Sequence, residues 1–253
     1  MIFVYDGSIE GFFTAVFEAY RLGVEPVAIH SSQKDFQTSL LYQTLSIETD
    51  FVKAEKVKTA VKRISYNALD NIYTAFRHCD SDKDLAIFRF MKLLFNKKSE
   101  ALNMQAHPDV VAFNNLVYAV SHEIHRMHGF VRFRQTEYGV FYAPISPDHD
   151  ILDAIAEHFI QRYKGTPFCI HDVSREKMLV YDGVICRIAP ASKVQIALSE
   201  EEQAFQSAWR DYYDSVNIKK RKNLKLQRQF LPKRYRKFMP EFFSDWAYRK
   251  NKA

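Results

Sequence analysis

The chain has 253 residues, 47% of them hydrophobic and 15% aromatic, with only 7 Gly and 8 Pro and a net charge of +6. This composition excludes a disordered, low-complexity or collagen-like protein, and the length can bury a substantial core in one large domain or two smaller ones. No stretch approaches the roughly 18–20 apolar residues that cross a bilayer, and three dispersed cysteines without a CxxC pair signal neither a disulfide framework nor a zinc or iron–sulfur site.

Ile2 to Tyr5 read as a short strand that leads into Asp6 rather than into a long apolar leader, so a soluble, cytoplasmic protein is expected. Asp6-Gly7-Ser8 reads as a turn, followed by Phe12, Phe13, Val16, Phe17 and Tyr20 as the stripe of a helix stopped by Gly23. Pro26 to His30 form a second strand, giving a βαβ-like opening. The turn suggests phosphate binding by helix amides. No Walker or dinucleotide glycine pattern accompanies it, so capping of the helix by Ser8 is the favoured reading.

From about Lys53 to Met127 the pattern is helical. Val57, Val61, Ile64, Ala68, Ile72 and Phe76 mark one stripe, and Leu85, Phe88, Met91 and Phe95 a second. A helix opened by Pro108 carries Phe113, Leu116, Val117, Val120, Ile124 and Met127 to an expected stop at Gly129.

Beyond Gly129 the period changes to two. A hairpin is expected, with Phe130, Arg132 and Arg134 on one strand face and Val131 and Phe133 on the other, returning through Val140 to Ile145. Asp150 to Lys164 form a helix. Phe168 to Val173, Met178 to Tyr181 and Val184 to Ile188 form strands, the last two joined by Asp182-Gly183. Ser199-Glu200-Glu201-Glu202 has the form of a capping box, and Phe205, Ala208, Trp209, Tyr212, Tyr213 and Val216 are the expected buried face of the next helix.

The fold class is therefore α+β: a helical first half packed on a small, mainly antiparallel sheet with hairpins. Residues 1–216 form one domain, helix-rich over 1–128, sheet-containing over 129–198 and closed by the helix 199–216. Residues 217–253 form a basic, aromatic segment packed on it, broken by Pro232 and Pro240.

That segment holds 13 Lys and Arg against Glu241 and Asp245, a balance of +11, so the chain total of +6 leaves −5 on the other 216 residues. Such asymmetry points to a polyanion as partner. Interleaved aromatics argue for an ordered surface rather than a solvated tail. Lys219, Arg221, Lys222, Lys225, Arg228, Arg234, Tyr235 and Arg236 are the candidate nucleic-acid contacts, extended by Arg126, Arg132 and Arg134. Guanidinium forks beside aromatic planes suit phosphate contact with base stacking.

His122-Glu123-Ile124-His125-Arg126-Met127-His128 is the densest titratable cluster, and it misses the HExxH metalloprotease pattern because Arg126 stands at the second histidine position. On a helical wheel Glu123 borders the apolar stripe, while His122 and His125 face away from it. Glu123 is either an ion-pair partner of Arg126 or a general base with His125 as proton carrier. His149, His158, His171 and Asp172 match no metal-ligand spacing, so neither a metal nor a cofactor is expected.

Glu123-x-His125-Arg126-Met127-x-Gly129-Phe130-x-Arg132-Phe133, Pro147-Asp148-His149-Asp150-Ile151-Leu152 and His158-Phe159-x-x-Arg162 together resemble one family. Tyr5-Asp6-Gly7-Ser8, Ile170-x-Asp172, Trp209-x-x-Tyr212-Tyr213, Ile218-x-x-Arg221-x-Asn223 and Gln227-Arg228-x-x-x-Pro232-x-Arg234-Tyr235 extend the likeness over nearly the whole chain. The family is one of bacterial proteins assigned to DNA metabolism or DNA repair, a domain of unknown function found alone or fused ahead of a uracil-DNA-glycosylase-like domain. The resemblance implies a radical S-adenosylmethionine protein as usual neighbour. Arg236 and Phe168 depart from it, each standing where a tryptophan is expected.

The expectation is a DNA-binding protein of a repair or modification system, with chemistry supplied by the radical S-adenosylmethionine partner. An enzyme acting on a base or nucleotide through Glu123 and His125 is the first alternative. A docking adaptor for an acidic protein is the second.

Overall fold

The opening apolar run forms β1 (Ile2–Tyr5), which lies between two parallel neighbours, β2 (Ala28–Ser31) and β3 (Thr44–Ser46). A parallel strand paired on both sides is buried on both faces, so Ile2, Phe3 and Tyr5 are all buried. Between β1 and β2 runs α1 (Ile9–Leu22), whose first turn is capped by the Ser8 hydroxyl accepting the Gly11 N–H at 2.9 Å. Asp6 accepts from the Ser8 N–H and hydroxyl and from the Thr49 hydroxyl. The turn thus serves the helix cap, as the capping reading expects. Gly11 is required by proximity, since a Cβ there would lie 2.3 Å from Asp6 Oδ1.

The first long helical stripe is two helices, α2 (Phe51–Ile64) and α3 (Tyr66–Phe76), because Ser65 leaves the helix and caps α3 through its hydroxyl. Next come α4 (Lys83–Lys97), a 3-10 turn over Lys98–Asn103, and α5 (Pro108–Phe130). Phe3, Phe12, Phe13, Ile72, Ile87, Met91 and Leu94 fill one core, with Phe90 stacked on Phe113 at 3.8 Å between ring centres. The strand β3 had no sequence signal, being three residues long with both ends exposed. Its register comes wholly from pairing with β1.

The chain divides into two compact units, Met1–His122 and Glu123–Ala253, and the division falls inside α5. The second unit contains β4 (Arg134–Gln135), β5 (Phe141–Ile145), α6 (Leu152–Arg162), β6 (Phe168–Asp172), β7 (Lys177–Tyr181) and β8 (Cys186–Pro190). These strands form one sheet in sequence order, antiparallel except for the parallel pair β5–β6, whose crossover is α6. Ile155 and Phe159 from α6 are buried, as are Ala143, Phe168, Ile170 and Leu179 from the strands. The mixed α+β class is that read from the sequence.

Two local expectations are corrected. The period-two run after Gly129 is no strand at its start: α5 continues through Phe130, the Val131 N–H still donates to the Met127 carbonyl at 3.2 Å, and strand pairing begins only at Arg134. Phe130, Arg132 and Arg134 therefore share no strand face. The helix after Ser199, α7 (Glu200–Val216), forms where expected but turns only part of the expected stripe inward. Its buried positions are Glu202 and Gln206, with Trp209 and Tyr213 half-buried beside them, whereas Phe205, Ala208, Tyr212 and Val216 are exposed.

The C-terminal segment holds α8 (Leu224–Phe230), α9 (Lys233–Arg236) and a 3-10 turn at Pro240–Phe242. Pro232 and Pro240 each open one of these short pieces, in keeping with proline's missing N–H. Tyr235, Met239 and Phe242 are buried, so this part is ordered surface and core. The computed structural model describes residues 1–31, 42–192, 194, 196–216, 218 and 223–242. Among these, no helix is long and apolar enough to cross a membrane.

Candidate functional site

Glu123 sits at the centre of a polar knot in the second unit. Only 4% of the residue is exposed, and its two oxygens accept the N–H groups of Asp148 at 2.9 Å and His149 at 2.8 Å. The Tyr235 hydroxyl donates to the same carboxylate, and Arg234 lies 3.7 Å away while pairing with Asp148 at 2.5 Å. The Asp148 loop is held from its other side by Arg175, which donates to the carbonyls of Pro147 and Asp148 and pairs with buried Asp172 at 2.9 Å.

Burial, reinforced by the bond to Glu123, holds the Tyr235 phenol well above its ordinary range. Burial also lowers His149, against the opposing pull of Glu123. A general base needs a lone pair directed at substrate. Both Glu123 oxygens instead face donors of the protein's own fold, and His125 projects into solvent. The ion pair expected with Arg126 does not form either, because Arg126 reaches the Gln229 carbonyl at 3.4 Å.

Among the described residues, three of the arginines expected to meet phosphate, Arg132, Arg134 and Arg236, are engaged by the fold itself. Arg132 binds Glu241 at 2.9 Å and the Gly129 carbonyl at 2.7 Å. Arg134 donates to the Phe238 carbonyl at 2.9 Å, and burial lowers its pKa. Arg236 donates twice to the Leu231 carbonyl and lies over the Phe242 ring. Arg132 and Arg134 tie the C-terminal segment to the unit that carries it, and Arg236 braces the segment internally. Lys225, Lys233 and Lys237 are exposed. Lys219, Arg221 and Lys222, and the side chain of Arg228, lie outside the described residues.

A cavity of about 640 Å³ opens in the same unit. Its walls are the 131–135 segment, Phe141 at the start of β5, Arg162 and Tyr163 at the end of α6, one side of α7, and Pro240. From α7 come Glu201, Glu202, Phe205, Gln206 and Trp209, positions that recur at one-turn spacing. Phe133 and Tyr163 meet at 4.7 Å between ring centres, and Phe141 meets Tyr163 at 5.9 Å, forming an aromatic wall.

The acidic residues of the cavity also shape it. Glu202 accepts the Gln135 N–H at 3.0 Å and the Gln206 amide at 2.8 Å. This modifies the capping box: the Ser199 hydroxyl accepts the Glu202 N–H as expected, but the Glu202 carboxylate crosses to β4. Ser199 and Ala197 in turn exchange backbone bonds with Gln135 and Glu137. Trp209 donates to Glu241 at 3.3 Å, the carboxylate that also binds Arg132.

His128 and His158 stack at 4.0 Å with planes 11° apart. Burial, then the neighbouring imidazoles of His158 and His125, lowers His128. Within the second unit, the described histidines, cysteines and carboxylates bring no three ligand atoms together.

A mixed α+β protein whose second unit combines a carboxylate knot with an aromatic cavity is the class defined by this architecture. Residues 81–241, well over half of the chain, match the family described as a domain of unknown function, DUF4130, and the chain belongs to that family. No curated protein and no solved structure matches it.

Proposed function

We propose that this protein binds nucleic acid, DNA in the first instance, as a component of a DNA repair or modification system. The observation that carries the reading is the charge division, +11 over residues 217–253 against −5 over the rest. A protein with so uneven a field gains affinity for a polyanion by releasing its counterions. Support comes also from the exposure of Lys225, Lys233 and Lys237 beside an anchored Tyr235, Met239 and Phe242, since these cations ride on a packed scaffold. The resemblance to DNA-metabolism proteins, including those fused to a uracil-DNA-glycosylase-like domain, points the same way. It supports a radical S-adenosylmethionine protein as the partner that carries the chemistry.

The test is binding of a labelled oligonucleotide by fluorescence anisotropy between 50 and 200 mM salt. Log affinity falls linearly with log salt, with a slope of about −0.9 per duplex phosphate neutralised. Replacing Lys219, Lys220, Arg221, Lys222 and Lys225 by Gln flattens that slope and weakens binding. Equal affinity in this variant, or affinity indifferent to salt, overturns the reading.

A further inference from the structure

The cavity beside α7 is made of two kinds of surface whose combination restricts what fits. Phe133, Tyr163, Phe205 and Trp209 offer aromatic faces, which favour a flat ring. The polar lining from α7 is rich in acceptors. Glu201 and Glu202 are acceptor-only when ionised, and Gln206 directs its amide N–H at Glu202, leaving its carbonyl as the unengaged end. A ligand here must bring donors.

Net charge narrows the choice further. The lining contains Glu201 and Glu202 against Arg132 and Arg162, and Arg132 is already paired with Glu241, so the carboxylates outnumber the remaining cation. A phosphate inside it would meet two carboxylates on the first turn of α7. We infer that the cavity binds a neutral, planar nitrogen heterocycle carrying an exocyclic amino group, the chemistry of cytosine, adenine or guanine. Carboxylate acceptance from such an amino group is a standard mode of base recognition. The volume of about 640 Å³ exceeds that of a base alone, and leaves space for a sugar toward the mouth.

Arg162 is exposed, and among the described residues it makes no hydrogen bond or ion pair. It is the cation from the lining positioned to meet a phosphate attached to that sugar. The inference extends the nucleic-acid reading to a ligand class and rests on it only in the choice of nucleosides as probes.

The experiment uses the full chain with Trp246→Phe, so that Trp209 is its only tryptophan, and titrates nucleosides against its emission. Cytidine, adenosine or guanosine is expected to quench Trp209 saturably, with uridine at least about tenfold weaker. Phe205→Ala weakens binding by about tenfold, the loss of one stacking contact. Glu201→Gln, at the exposed carboxylate of the lining, removes the preference for an amino group. Phe205→Ala is the second variant, because that residue is 62% exposed and supports little of the fold.

Absence of saturable quenching at millimolar nucleoside, equal affinity for uridine and cytidine, or tighter binding of tetramethylammonium than of any nucleoside overturns the inference. Nucleosides carry no phosphate. Their failure to bind therefore leaves the salt-dependent oligonucleotide result standing, and failure of the latter leaves this one standing.

Discussion

Glu123 and Glu202 are both carboxylates with less than a tenth of their surface exposed, both in the second unit, and both bound to backbone N–H groups of another element. Their surroundings differ in one decisive respect. The oxygens of Glu123 face two backbone donors, a phenol and a nearby guanidinium, and close a knot. Those of Glu202 take one donor each beside a cavity lined with aromatic rings. Burial of a charged group alone therefore does not mark a site: what distinguishes one is residual bonding capacity facing open volume. The first carboxylate holds the fold together, and the second stands where a ligand can reach its neighbours.

Removing the knot gives the largest expected effect. Glu123→Ala leaves the Asp148 and His149 N–H groups and the Tyr235 hydroxyl without an acceptor, a loss of about 3–5 kcal/mol in urea unfolding. Wild-type stability in that variant would break the contrast between the two carboxylates. Tyr235→Phe removes one donor to the same group and is expected to cost about 1–2 kcal/mol, read as a lower unfolding midpoint. Arg132→Gln loosens the Glu241 contact shared with Trp209, with a cost of about 1 kcal/mol and a shift of Trp209 emission in a Trp246→Phe background.

Phe205→Ala sharpens the contrast from the other side. Its unfolding free energy should match wild type within about 0.5 kcal/mol, as for an exposed surface position, while nucleoside affinity falls about tenfold. The smallest effect concerns pH. Burial lowers the folded pKa of His128 beneath its ordinary value, so the unfolded chain takes up the proton first. Its contribution is complete above the ordinary histidine range, near pH 6.5, and is lost as pH falls through that value toward the folded one. His128→Asn should flatten the stability profile below pH 6.5, measured by thermal unfolding across pH 5–8.

The sequence made the fold class legible wherever local chemistry acts over a few residues. Ser8 and Gly23 bound α1, and Asp182-Gly183 falls in the turn between β7 and β8. Pro232 and Pro240 divide the last segment. The family match over residues 81–241 bears out the likeness to a domain of unknown function. The candidate site was far less legible. Glu123 was singled out for its dense titratable neighbours, but its partners lie 25, 26 and 112 residues away. The cavity was missed because its lining comes from five separated stretches, and because the aromatics of α7 read as a core face.

Periodicity, capping residues and turn chemistry were enough to establish most of the helices and strands, and the residue count alone the uneven charge. Which side of α7 faces inward, where Arg132 and Arg134 point, and whether a carboxylate closes a knot or borders a cavity were decided only by tertiary packing. An amphipathic pattern states that a helix has an apolar side. Only the neighbours that compete for its polar groups determine which side is buried, and here the Gln135 N–H of β4 draws Glu202 inward.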